Sequence, residues 1–148
     1  MSFDSPGAHF THDHRRCDEL WAELESVAEQ PAAAKARFAE FEVAMRAHFA
    51  MEEEVLFPAL EDATGMHGMG PTYIMRMEHA QMKNLLEQMA ADAARGAFDA
   101  VLDQGDTLLM LIQQHNVKEE NILYPLADRA LGGDWPELEK KLGKYGSK

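Results

Sequence analysis

The chain has 148 residues, 46% hydrophobic and 27% charged, a length and balance that suit one soluble domain with a sizeable core. A formal net charge of −12 with no basic stripe excludes the usual electrostatics of nucleic-acid binding. A single cysteine, Cys17, excludes an intramolecular disulfide or a cysteine-cluster zinc site, and no apolar run approaches the roughly 20 residues of a bilayer span.

The opening MSFDSPGAHF lacks the basic flank and apolar run of a signal peptide, so a reducing cytoplasm is the expected location. Strand signals are nearly absent. The first helix is read from about Thr11 to Glu29, with Leu20, Trp21, Leu24, Val27 and Ala28 at three- and four-residue spacing. Pro31 opens a second helix, which carries Phe38, Phe41, Met45, His48, Glu52 and Val55 on one face and ends near Asp62. ATGMHGMGP, Ala63 to Pro71, is a loop. A third helix from about Pro71 to Arg95 presents Met75, His79, Met82, Leu86 and Met89. After a turn at Gly96, a fourth from about Phe98 to Ala130 presents Leu108, Leu111, His115, Glu119, Ile122 and Leu126. The remainder is a tail with one short helix, Trp135 to Leu142. The fold class is all-α, an up-down antiparallel four-helix bundle. It is read as a single domain over 1–148, with the bundle at about 9–130 and the tail at 131–148.

Two segments share one frame. HFAMEEEVLFP, His48 to Pro58, and HNVKEENILYP, His115 to Pro125, match in His, Glu, Glu, Leu and Pro, with Val/Ile and Phe/Tyr as close pairs. The first and third helices add DHRRCDEL and EHAQMKNL, each an acid, a histidine and a leucine six residues later. The chain therefore reads as two helix pairs of one design. Their pseudo-twofold places His14, His48, His79 and His115 at related core-facing positions. Residues at i and i+4 lie above one another on a helix, so His48 and Glu52 reach one point of the interior, as do His115 and Glu119. Burying two carboxylates without compensation is costly, and divalent cations pair that charge. Four imidazoles and two bridging carboxylates serve two ions with matching ligand sets, with room for a shared oxo or hydroxo group and one small molecule. Such mixed ligation suits non-haem iron, with manganese or zinc also compatible.

The bland alternatives are a hydrogen-bonded core histidine and an exposed HxxxE pair. Repetition in register on apolar faces outweighs them. Glu53, Glu54 and Glu120 rotate off that face and are read as solvated, so Glu53→Gln is expected to leave metal content unchanged. Asp13 and Glu78 are read as second-tier or surface groups, and His9, His12 and His67 as non-ligands. Phe57 and Tyr124 are read as packing at the bundle end. GMHGMG offers copper(I) donors at unspecific spacing.

These motifs resemble the hemerythrin-like, or HHE cation-binding, family over about residues 9 to 130, through DHR at His14, the two long cassettes, and GPTYIMRMEH ending at His79. The resemblance implies a four-helix bundle around a non-haem diiron centre. His14, His48, His79 and His115 would be terminal ligands, and Glu52 and Glu119 bridging carboxylates. The oxygen carriers of the family have a fifth histidine where this chain has Met75. The ligand set is similar to the diiron domain of the repair-of-iron-centres proteins, which act in nitrosative and oxidative stress, but their cysteine-bearing N-terminal domain has no counterpart here. The expected function is binding or sensing of oxygen, nitric oxide or peroxide. A diiron enzyme or iron-donating repair factor is the alternative, and metal buffering the third. Apart from the ligands, no nucleophile–base set or substrate-binding motif decides whether there is turnover.

Overall fold

Ser5 starts the first helix. Its side chain accepts a hydrogen bond from the Ala8 amide, and Pro6 follows at the first helical position, where its missing N–H has no helical partner to lose. In the computed structural model, which describes residues 2–145, α1 therefore spans Pro6–Ser26, one turn earlier than the apolar periodicity implies. Pro31 likewise opens α2, Pro31–Met51. This runs through a π-helical turn, Glu52–Leu56, into α3, Phe57–Thr64, forming one continuous rod. Gly65, at φ 75°, ends the rod in the left-handed conformation that glycine adopts without strain. After the loop, α4 spans Gly70–Ala94. Gly96, at φ 76°, turns the chain into α5, Phe98–Lys118. A second π-helical turn, Glu119–Leu123, joins α5 to α6, Tyr124–Leu131. The short helix read in the tail is α7, Trp135–Leu142.

The bundle's four members are α1, the α2–α3 rod, α4 and the α5–α6 rod, packed antiparallel in chain order. The core falls into two apolar clusters. One holds Trp21, Leu24, Phe38, Phe41, Leu86 and Leu108. The other holds Phe10, Leu56, Phe57, Met75, Tyr124 and the buried side of α7. Buried His14, His48, Glu52, His79, His115 and Glu119 belong to neither cluster. The tail is part of the core: Trp135, Leu138 and Leu142 are buried, and the Trp135 indole donates to the Phe3 carbonyl at 2.7 Å. Among the described residues no helix is long and apolar enough to cross a membrane.

The α-helical periodicity misplaces one residue. Glu119, Ile122 and Leu126 share a face in an α-helix, but the π turn intervenes. Ile122 is 59% exposed, and Leu123 and Tyr124 are buried in its place.

Candidate metal centre

The four histidines predicted at related positions converge. Donor atoms of His14, His48, Glu52 and Glu119 lie within 4.8 Å of one another, as do those of Glu52, His79, His115 and Glu119. The two carboxylates are common to both groups. His14 Nε2 is 3.0 Å from Glu119 Oε1, and His115 Nε2 is 3.0 Å from Glu119 Oε2. His79 Nε2 is 3.0 Å and His48 Nε2 3.5 Å from Glu52 Oε1. Both glutamates are fully buried.

The outer nitrogen of each imidazole has its own carboxylate. The Nδ1–H groups of His14 and His79 donate to Glu120 and Glu53 at 2.7 Å, and those of His48 and His115 to Asp13 and Glu78 at 2.8 Å. The pattern is cyclic. An acid on α1 holds the histidine on α2, the α2–α3 rod supplies the acid for α4, α4 supplies it for α5, and the α5–α6 rod returns to α1. A donating Nδ1–H fixes the tautomer and leaves the Nε2 lone pair aimed inward, the arrangement that metal-binding histidines use.

Lys83 braces Glu53 at 2.9 Å and Lys118 pairs with Glu78. Burial raises the Asp13, Glu53 and Glu78 carboxyls, but hydrogen bonds to the histidines and lysines outweigh it, so all three sit below the usual range and stay ionised. Burial lowers the imidazoles, but Glu119 beside His14, and Glu52 and Glu53 beside His79, push each up to about 9. His115 is raised by Glu119 in the same way. Burial raises Glu119, yet His115 and His14 hold it well below its ordinary value.

The interior is short of hydrogen-bond partners. His48 Nε2, Glu52 Oε1, His79 Nε2, His115 Nε2 and Glu119 Oε2 are buried with no hydrogen bond. His79 Nε2 and Glu52 Oε1 face one another at 3.0 Å without the alignment a hydrogen bond needs. One unpartnered buried polar group costs about 1–3 kcal/mol, so five at one point require a common partner. Cations fit this donor set: imidazole nitrogens, which become donors as the ion displaces their protons, and carboxylate oxygens, all facing inward and all excluded from water.

Three residues have roles that α-helical periodicity conceals. Glu53 and Glu120 are not free in solvent; they hold His79 and His14. The signal was present as the second acid after each HxxxE, in EEE and KEE. Tyr124 does more than pack. Its hydroxyl lies 2.6 Å from Glu52 Oε2, 2.9 Å from Glu119 Oε1 and 3.0 Å from His14 Nε2. The two ion positions therefore do not have matching surroundings. Burial, together with the Glu119 and Glu52 charges, raises the phenol well above its ordinary value. His9, His12 and His67 join neither donor group. Met75 packs in the apolar cluster with Phe10 and Phe57. An apolar cavity of about 10 Å³, the room of one water-sized molecule, lies beside His14, His48 and His115 among Met45, Met82 and Ile112.

Comparison with known proteins agrees with this geometry. The family described as "Hemerythrin HHE cation binding domain" matches residues 5–127. Curated relatives include an "Iron-sulfur cluster repair protein YtfE" of Enterobacter sp. (strain 638). It is 31% identical over 96 residues, covering 59% of this chain and 42% of the relative. The protein of the same name from Escherichia coli O81 (strain ED1a) is 30% identical over 98 residues, covering 61% and 43%. The chain thus spans less than half the length of these relatives. No solved structure gives a significant match.

Proposed function

The chain belongs to the hemerythrin HHE cation-binding family, and from that premise we propose that it is a non-haem diiron protein whose centre takes up a small ligand, such as oxygen, nitric oxide or peroxide. The observation that carries this reading is the set of five buried, unpartnered nitrogen and oxygen atoms converging from the α2–α3 rod, α4 and the α5–α6 rod, with His14 of α1 facing them. His14, His48, His79 and His115 would be terminal ligands, and Glu52 and Glu119 would bridge. Bound iron supplies a redox-active Lewis acid at which a small ligand can coordinate. The chain's own residues orient and insulate the site. Asp13, Glu53, Glu78 and Glu120 set the imidazole tautomers, and Phe49 and Phe57 pack on His79 at ring distances of 4.5 and 5.5 Å. The small cavity between Met45 and Met82 leaves room beside the histidines for a very small ligand and not for a bulky substrate.

The test is anaerobic loading with ferrous iron, followed by optical spectra before and after addition of nitric oxide or oxygen. A stoichiometric spectral change at the loaded centre supports the reading. Retained iron with spectra indifferent to every small ligand contradicts it. A second reading, an iron-donating repair factor, draws on the repair proteins among the relatives. It requires the loaded chain to pass iron to an apo iron–sulfur acceptor faster than free ferrous iron reaches that acceptor in the presence of a chelator.

A further inference from the structure

Tyr124 stands outside the repeat that generates the rest of the centre. The two long cassettes agree in their histidines and paired acids, but the residue before the proline is Phe57 in one and Tyr124 in the other. In each case the backbone N–H of that residue bonds to the carbonyl of the bridging glutamate five positions earlier. This i→i+5 closure returns the side chain to the glutamate's face. Phe57 brings a bare ring toward His79, whereas Tyr124 brings an oxygen to the other side of the site.

That oxygen is oversubscribed. A phenol has one proton to donate, and the 2.6 Å contact to Glu52 Oε2 is the shortest of its three. At Glu119 Oε1 and His14 Nε2, 2.9 and 3.0 Å away, its lone pairs face further donor atoms of the same ion position. Nitrogen and oxygen ligands sit about 2.0–2.2 Å from a first-row ion, so neighbours at right angles are about 3 Å apart. The phenol oxygen has that spacing from Glu119 and His14 of the His14–His48 group, and lies closer, at 2.6 Å, to the Glu52 oxygen that now accepts its hydrogen bond.

Resting on the diiron reading above, we propose that Tyr124 is a ligand of the ion held by His14 and His48, coordinating as a phenolate. On loading, the phenol proton leaves to solvent and the oxygen supplies the electron pair of the new bond. The protein then gives this ion five donors, His14, His48, Glu52, Glu119 and Tyr124, and gives the other ion four. The two ions differ, and the additional free position belongs to the His79–His115 side.

The experiment is resonance Raman spectroscopy, with visible excitation, of protein loaded with iron and oxidised to the ferric state with ferricyanide. Expected is a phenolate-to-ferric charge-transfer band that enhances tyrosinate ring vibrations. Both are lost in Tyr124→Phe and kept in Tyr73→Phe and Tyr145→Phe. The phenylalanine matches the other half of the repeat, and two irons retained per chain would show the variant intact. Should Tyr124→Phe not fold, wild-type protein with ring-deuterated tyrosine decides, because tyrosinate modes shift on labelling. Iron retained without tyrosinate modes, or modes unchanged in Tyr124→Phe, overturns this proposal alone. Failure of wild type to retain any iron overturns the diiron reading and this proposal with it.

Discussion

Each imidazole at the centre is held at Nδ1 by a carboxylate of a neighbouring helix, and its two nitrogens divide the labour. The inward Nε2 is a donor in waiting, and the outward Nδ1–H is the handle by which a neighbouring helix sets the ring. Substituting the handle should therefore weaken the donor without removing it. Glu53→Gln and Glu78→Gln are each expected to lower metal affinity about 10- to 100-fold, measured by competition with a chromophoric chelator. Glu54→Gln, one residue along and bonded to Tyr145 on the surface, should leave affinity unchanged. Losing a shared carboxylate is more severe. Glu52→Gln or Glu119→Gln should reduce metal content to one ion or none by elemental analysis, because each carboxylate belongs to both donor groups.

The helices carry these side chains in register because their packing leaves little slack. Gly105 on α5 lies under Trp21 of α1, and a Cβ added there would sit 2.3 Å from the indole ring. Gly105→Ala should destabilise the protein by about 1–3 kcal/mol through overpacking, read as a shift of the urea midpoint at constant slope. Element packing also explains what was legible in the sequence. His14, His48, Glu52, His79, His115 and Glu119 were readable because each lies on an α-helical stripe and the stripe is repeated. Tyr124 was not, because it reaches the site through a π turn that an α-helical period does not describe. The same turn exposes Ile122, which that period had buried. Glu53 and Glu120 were misread for another reason. A residue one step from a core position points at the seam with the next helix, and its partner there depends on neighbour order, which a single helix does not encode. The early start of α1 was written in Ser5–Pro6, a capping signal rather than an apolar one.

At the scale of the whole molecule, a charged layer lies between two apolar clusters, so its protonation state governs stability. Without metal, His14 and His79 sit at about 9, above their unfolded value of about 6.5. Their contribution is fully present below about 6.5 and is lost as pH rises through 9. Glu119 is depressed, so its contribution is present above its ordinary value of 4.5 and lost as pH falls through its folded value. The metal-free protein should be most stable between about 4.5 and 6.5. Metal must displace the imidazole protons, so its binding strengthens across the interval in which the metal-free form weakens. Calorimetry at several pH values between 6 and 9 should show the melting-temperature gap between loaded and metal-free protein widening with pH. A constant gap would separate the imidazoles from metal binding.

The most direct measurement of the central claim is metal stoichiometry after anaerobic reconstitution with ferrous iron and desalting, compared between wild type and Glu119→Gln. Two irons per wild-type chain, falling to one or none in the variant, is the expected result. Wild type that retains no iron, or a variant that retains as much as wild type, would contradict a centre built on the shared carboxylates.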